Sequence, residues 1–398
     1  MAADSHSRSA AAAGTPASGP AGAQLPPTLF AGLAVASIGG PIALVTLFPG
    51  TVGDGVDSAG LVVVLSLVVF AAPLAIWWRF SERIVSPGGL SAFVAAAAGR
   101  RAGVVHGWIW AISYFLYLPF TVTYVVYDVL PPVFPGIGPY RAALEIVIPV
   151  VIVLVVLAPV RAVLVGVAIL GASQLVALLV LAGVEYAHVH ASFAGTPTLE
   201  DTGSGAGNAA LLFICASLPL YLGAEVRGGA RTVRPVLLGA VAVVGAAFLV
   251  AAIPLSGVPD SLRSAAVPGA AIAGAYGGQA FGDVIGLLTA GSSLALIVAE
   301  YLALGRLIHW LHGPPLRTTL AWIGVPFVIA DVISLVDPDG FYDNLLKPSL
   351  VALYVSQVLV FLVFPRFRRT PFALVLGAVA GALAGWGMYT LFAGGATT

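Results

Sequence analysis

The sequence predicts an all-α membrane protein that crosses the bilayer about eleven times. Of its 398 residues, 60% are hydrophobic and only 9% are charged. A helix needs about twenty apolar residues to cross the hydrocarbon core, and lipid offers the backbone no partners, so each apolar stretch is expected to be helical. In chain order the predicted helices are Leu29–Phe48, Ala59–Trp78, Gly103–Tyr127, Ala142–Pro159, Val163–Val184, Ala209–Glu225, Val236–Gly257, Val284–Ile308, Leu320–Val336, Lys347–Phe364 and Phe372–Phe392.

The distribution of basic residues predicts the orientation of these helices. All but three of the 17 Lys and Arg residues fall in the N-terminal tail or in loops that follow even-numbered helices; the exceptions are Arg141, Arg263 and Lys347. Loops rich in Lys and Arg stay on the cytoplasmic side. We therefore expect a multi-pass protein of the cytoplasmic (inner) membrane, with its N-terminus in the cytoplasm and its C-terminus outside.

Composition limits the remaining classes of function. Met1–Pro27 is rich in Ala, Ser, Gly and Pro, which predicts a disordered cytoplasmic tail before a membrane domain at 28–398. The formal net charge is zero, so no nucleic-acid partner is implied; the expected partners are the lipid bilayer and a small molecule. Motifs of ATP-driven pumps, hydrolases and metalloproteases do not occur, so neither an enzyme nor a cofactor is predicted. His188 and His190 in an acidic loop are a weak metal motif.

Two predicted helices are interrupted near the middle of the membrane. The first contains Gly39-Gly40-Pro41 and the sixth contains Pro219 and Gly223, residues that weaken a helix interior. Matched breaks in two repeats are the best sequence indication of a secondary transporter site. Helices one to five and six to ten then form inverted repeats, at 28–186 and 207–366, with an extra helix at 371–393. Each break alone could instead be a packing kink.

Several motifs in the same order resemble the amino acid–polyamine–organocation transporters. They are Val45 to Gly50 at the end of the first helix, Ser86-Pro87-Gly88-Gly89 before Gly107-Trp108, Tyr221-Leu222-Gly223-Ala224-Glu225 before Arg231 to Pro235, and Ala303-Leu304-Gly305-Arg306. The resemblance implies a five-plus-five inverted-repeat fold and a permease for an amino acid or related amine. It also implies that helices one, two, six and seven rock against the rest. This chain departs from the family pattern in two places. The glycines of the first break are shifted to Gly39-Gly40-Pro41, and Pro219 stands in the sixth helix where family members often have an aromatic gate residue.

The same resemblance places a substrate between the two breaks. A broken helix offers N–H groups that favour an anion at one end and carbonyl groups that favour a cation at the other, which suits a zwitterionic amino acid. The implied substrate-binding residues are Ser37, Gly39, Gly40 and Ile42 on the first helix and Ser217, Leu218, Pro219 and Tyr221 on the sixth. Tyr221 would cover the substrate.

Polar residues in the third helix suggest a further wall of the site. Tyr114, Tyr117, Thr121 and Tyr124 recur at helical spacing. Tyr124 suits an interfacial aromatic belt. Tyr114 and Tyr117 lie deeper, so they suit either that belt or a substrate pocket.

Carboxylates and hydroxyls within the helices indicate possible coupling groups. Glu225 matches the family's sixth-helix glutamate, an inner gate or proton-responsive residue, or else pairs with an arginine such as Arg161. Glu300 is expected to pair with Arg306. Ser292 and Ser293 could ligate sodium, as adjacent hydroxyls do in the wider five-plus-five fold, or could simply pack helices. The coupling ion is therefore a proton or sodium, unless transport is by exchange.

We expect a secondary active transporter; the alternative is a transporter-like sensor or partner subunit without transport activity. No unpaired Asp or Arg is apparent near both breaks, which predicts a neutral or modestly polar substrate rather than a dication.

Overall fold

The computed structural model describes residues 24–195 and 198–393, which fold into an all-α bundle. Eleven spans in this part of the chain are long and apolar enough to cross a membrane, as predicted. The helices that form them are Pro27–Ala36 with Pro41–Thr46 and Phe48–Val52, Ala59–Phe80, Arg100–Tyr124, Arg141–Leu157, Val160–His188, Leu199–Leu211 with Ile214–Tyr221, Ala230–Ala252, Gln279–His312, Leu316–Ser334, Pro338–Arg368 and Pro371–Ala393.

The loops that carry most of the basic residues meet on one face of the bundle, which we call the basic face. Arg234 lies 2.9 Å from Glu82, which also contacts Arg368. The guanidinium of Arg100 stacks on Trp310 at 3.9 Å. These contacts join loops that follow the second, sixth, eighth and tenth helices. This grouping agrees with the concentration of basic residues after even-numbered helices, from which the orientation is predicted.

The opposite end of the bundle, which we call the far face, is held together by separate contacts. Arg263, one of the three exceptional basic residues, lies 2.6 Å from Asp57. The backbone N–H of Leu61 donates to the carbonyl of Phe193 at 3.1 Å. Loops after the first, fifth and seventh helices are therefore in mutual contact.

Two short helices in corresponding loops resemble each other in position and in geometry. Gly89–Ala98 precedes the third helix and Pro268–Gly277 precedes the eighth. The glycines that end them, Gly99 and Gly278, have nearly the same dihedral angles, with φ 94° and ψ 161° against φ 91° and ψ 159°. Gly278 follows Gly99 by the same number of residues as Pro219 follows Gly40. A single shift along the sequence therefore aligns the two glycine turns and also the two breaks. We infer two five-helix repeats from this spacing.

The predicted tail, Met1–Pro27, is only partly covered by the structure. Residues 1–23 lie outside the described residues. Leu25 is buried and pairs with the backbone of the sixth span: its N–H donates to the carbonyl of Glu225 at 2.8 Å, and its carbonyl accepts from Arg227 at 3.0 Å. The chain is thus anchored on the basic face just before the first helix.

Candidate functional site

The first helix is interrupted where its glycines predict. Pro27–Ala36 ends with Ser37, whose hydroxyl donates back to the carbonyl of Leu33 at 2.7 Å, and a second helix starts at Pro41. Gly39 and Gly40 between them have φ of 59° and 65°, which glycine adopts without strain. No side chain caps the helix that starts at Pro41. Its N-terminal pole is therefore available to a partner with negative charge.

The sixth span is irregular over a longer stretch than its Pro and Gly residues predict. The α-helix Leu199–Leu211 ends well before Pro219, and 3₁₀ helices follow at Ile214–Tyr221 and Gly223–Glu225. A 3₁₀ helix is usually short because its hydrogen bonds have poor geometry. The irregular backbone therefore covers all the predicted residues Ser217, Leu218, Pro219 and Tyr221, which are buried.

The two breaks lie against each other and against the eighth helix. A Cβ atom at Gly39 would lie 3.1 Å from the carbonyl oxygen of Leu212, where the sixth helix ends. One at Gly40 would lie only 2.0 Å from the hydroxyl oxygen of Ser292. The structure thus brings the predicted sodium residue Ser292 directly to the first break. Both glycines are required for this close approach.

The other predicted sodium ligand points elsewhere. The Ser293 hydroxyl donates to the carbonyl of Thr289 at 3.2 Å, within its own helix. The Ser292 hydroxyl donates to the side-chain oxygen of Gln174 at 3.0 Å, and the Gln174 amide nitrogen has no hydrogen-bond partner within the described residues. Gln174 of the fifth helix is therefore an additional polar residue beside the first break.

The third helix contributes its deep tyrosines to the same region. Tyr114 is almost fully buried, and its hydroxyl lies 3.9 Å from the sulfur of Cys215, in the sixth break. Cys215 in turn lies 3.8 Å from the carboxylate of Glu300 on the eighth helix. Tyr114 and Tyr117 both lie within electrostatic range of that carboxylate. The structure therefore places Tyr114 inside the bundle and leaves Tyr117 half-buried beside it.

Aromatic rings close the region towards the basic face. Trp110 stacks on Tyr114 at 4.0 Å and contacts Tyr221 at 4.4 Å between ring centroids. A Cβ at Gly89, whose φ is 48°, would lie 2.6 Å from the Tyr221 ring. The predicted lid residue Tyr221 is thus locked between the third helix and the loop before it. We call Trp110, Tyr114 and Tyr221 the aromatic stack.

An ion pair lies beyond the aromatic stack, and it differs from the predicted one. Both nitrogens on one edge of the Arg306 guanidinium bind Glu225, at 2.6 and 3.0 Å from its two carboxylate oxygens. Arg306 is 2% exposed and Glu225 is 36% exposed. The expected pair of Glu300 with Arg306 is wrong, because this fork–fork geometry uses the guanidinium for Glu225. Arg161 binds the carbonyl of Gln24 instead.

The far face is closed by the second short helix. A Cβ at Gly269 would lie 2.4 Å from the Thr46 side chain, so Pro268–Gly277 packs directly on the second half of the first helix. Thr289 of the eighth helix donates to the hydroxyl of Thr46 at 3.1 Å. The region between the breaks is therefore covered on both sides.

The weak metal motif has no support in the described part of the chain. The imidazole of His188 stacks on Tyr276 at 5.0 Å and contacts the carbonyl of Val184. No group of three or more His, Cys, Asp or Glu side chains that could hold a metal occurs among the described residues.

Sequence reasoning missed three residues that complete this region: Trp110, Gln174 and Cys215. Each is a single residue in an apolar helix, with no motif around it. The sequence alone could have marked Gln174 as a candidate, since an amide in the middle of a spanning helix requires a polar partner. Trp110 precedes Tyr114 by one helical turn, so the tyrosine stripe could have been extended to include it.

Comparisons with known proteins give a match of structure only. No protein-family model matches the sequence, and no curated protein is significantly similar to it. Among solved structures, the fold is similar to that of MhsT in complex with L-phenylalanine, with a TM-score of 0.63. The match covers 91% of this chain and 97% of MhsT, at 15% sequence identity. The chain therefore has the fold of MhsT over nearly its whole length.

Proposed function

We propose that this protein is a secondary active transporter of an amino acid or a related amine, and that the substrate binds between the two breaks. The observation that carries the proposal is the close approach of the two interrupted spans, where a Cβ atom at Gly39 would lie 3.1 Å from the carbonyl oxygen of Leu212. Interrupted spans at the interface of two repeats are the usual site of substrate and ion in such folds. The L-phenylalanine held by MhsT, a protein of the same fold, supports the substrate class.

The site chemistry also favours a zwitterion. The uncapped helix start at Pro41 can accept a carboxylate, and the carbonyl groups where the helices end can accept an ammonium group. Substrate release requires that the closures on the two faces open in turn. On the basic face these are the aromatic stack and the pair of Glu225 with Arg306, which makes Glu225 a gate residue.

Uptake into proteoliposomes tests the proposal directly. A panel of radiolabelled amino acids and amines should include at least one that accumulates under a proton or sodium gradient. Empty liposomes and liposomes holding the Gly40→Val variant are the controls, since a valine side chain there would occupy the position of the Ser292 hydroxyl. If no compound in the panel is taken up or bound, the sensor or partner-subunit alternative is favoured.

A sodium site at Ser292 and Ser293 is tested in the same assay. Hydroxyl oxygens are hard ligands that suit an alkali cation, and Ser292 lies at the first break. If sodium binds there, the double variant Ser292→Ala/Ser293→Ala should lose sodium stimulation of uptake. Uptake that is independent of sodium in the wild type would eliminate this site and leave proton coupling or exchange.

A further inference from the structure

The structure contains a buried carboxylate at the proposed transport site, and no cation among the described residues balances it. Glu300 is fully buried, and one of its carboxylate oxygens has no hydrogen-bond partner within the described residues. The other oxygen has only the weak thiol donor of Cys215, at 3.8 Å. The cation assigned to it from sequence, Arg306, is engaged by Glu225. Glu300 therefore lacks the arginine partner expected from the sequence, and that pairing was a premise of the neutral substrate.

The groups that face Glu300 cannot neutralise it. They are Tyr114 and Tyr117 of the third helix and Cys215 of the sixth, all of which are uncharged near neutral pH. A lone ionised carboxylate in the middle of a membrane protein is strongly unfavourable. Its charge must therefore be cancelled by a bound proton or by a cation that enters from outside the chain.

The surroundings of Glu300 have the chemistry of an ammonium site. Aromatic rings attract cations over their faces, and the carboxylate of Glu300, within electrostatic range of Tyr114 and Tyr117, adds a counter-charge. The irregular sixth span nearby, Ile214–Tyr221, supplies backbone carbonyl groups that are not all used by a regular α-helix. A carboxylate, aromatic rings and carbonyl oxygens together recognise an organic ammonium ion.

The position of Glu300 relative to the first break sets the shape of the ligand. Glu300 follows Ser292, the residue in contact with Gly40, by just over two helical turns, a rise of about 12 Å. Long side chains on a helix lean towards its N-terminus, which brings the carboxylate back towards Ser292. A ligand that reaches both places must carry a second polar end on a flexible chain several carbons long.

We propose that Glu300 binds a side-chain ammonium group of the substrate and releases a proton when it does so. Without substrate, Glu300 is protonated and neutral. When the ammonium arrives, the O–H bond of Glu300 breaks, the proton leaves to water, and the carboxylate forms an ion pair with the substrate. The substrate class is a basic amino acid such as lysine, and because proton and substrate share one site, transport is an exchange of substrate for proton. This inference deepens the proposed function and rests on it.

L-Lysine and L-norleucine are a matched pair of probes for this proposal, because they differ by the terminal ammonium group. Purified protein in nanodiscs should release about one proton per chain when lysine binds, measured with a pH indicator in weak buffer. Norleucine should release none. Lysine affinity in the wild type should also rise with pH, which is a test that requires no variant.

Two variants then assign the effect to Glu300. Glu300→Gln keeps the shape of the side chain but cannot ionise, so the variant should release no proton when lysine binds. Its affinity for lysine should fall about 30-fold or more. Norleucine binding should be unchanged. Glu185→Gln is the matched control, because Glu185 is also fully buried and neither of its carboxylate oxygens has a hydrogen-bond partner in the described part of the chain. It lies near the C-terminal end of the fifth helix, on the far face. This variant should behave as the wild type.

Four results separate failure of this inference from failure of the proposed function. Unchanged lysine binding to Glu300→Gln would overturn the inference, as would equal proton release by norleucine and lysine. Uptake of neutral amino acids alone would overturn it while leaving the transporter proposal intact. The absence of both binding and uptake for every amino acid and amine would overturn both.

Discussion

At the scale of single residues, the site depends on how closely the backbone of the first break approaches the eighth helix. Gly40 combines a left-handed backbone with a contact so close that no Cβ fits beside the Ser292 hydroxyl. Gly53 has a similar φ of 54°, yet a Cβ there would have open space around it. The two glycines thus share a positive φ; their ψ angles differ, 110° at Gly40 and −131° at Gly53, and only Gly40 has a close neighbour.

Gly40→Ala and Gly53→Ala should therefore have different effects. Gly53→Ala incurs only backbone strain, about 1–3 kcal/mol. Gly40→Ala adds overpacking against Ser292, about 1–3 kcal/mol more, and should abolish substrate binding. Thermal unfolding in detergent and a binding assay measure the two effects. Equal behaviour of the two variants would show that the contact with Ser292 is unimportant.

At the scale of elements, the basic face is closed by a pair of groups on different helices. Arg306 on the eighth helix holds Glu225 at the end of the sixth span, next to Tyr221 of the aromatic stack. Because Arg306 is nearly fully buried, loss of its partner leaves a buried charge without compensation. The pair can therefore hold the sixth span against the eighth helix while the basic face is shut.

Glu225→Gln should loosen this closure. The expected loss of stability is about 2 kcal/mol, because Glu225 is partly exposed and water can replace some of the interaction. A cysteine introduced at Leu222, which is buried in the closed structure, should react faster with maleimide in the Glu225→Gln background. The exchanged pair Glu225→Arg/Arg306→Glu should restore slow labelling if charge attraction is what closes this face. Equal labelling rates in all three proteins would contradict a gating role.

At the scale of the whole molecule, the two faces are distinct in charge and in contacts. The basic face gathers arginines at the ends of several helices, including Arg100, Arg234 and Arg368. The far face pairs Arg263 with Asp57. A membrane protein with this asymmetry is expected to insert with the basic face in the cytoplasm.

Cysteine labelling in intact cells tests that orientation. In a Cys215→Ser background, Asp54→Cys on the far face should react with a membrane-impermeant maleimide, since Asp54 is exposed. Arg231→Cys on the basic face, which is also exposed, should react only after the cells are opened. The opposite pattern would invert the predicted topology and the direction of every gradient in the transport assays.

The sequence alone determined the number of helices, the grouping of their loops by charge and the place of the first break. These features depend on local composition: a run of apolar residues must be helical in lipid, and Gly39-Gly40-Pro41 weakens any helix. The predicted bounds differ from the observed ones by up to ten residues at the ends: the sixth span starts at Leu199 rather than Ala209, and the tenth starts at Pro338 rather than Lys347, because polar residues there continue the helical turns.

Only the tertiary structure decided which side chains meet. From the sequence, Glu300 and Arg306 are close neighbours on one helix, and Glu225 is distant from both. Folding brings Glu225 to Arg306 and leaves Glu300 beside Tyr114, Tyr117 and Cys215. The same folding sets Ser292 against Gly40 and Gln174. Local patterns cannot specify these contacts, because each joins residues from different helices, and helix packing alone fixes their rotation and depth.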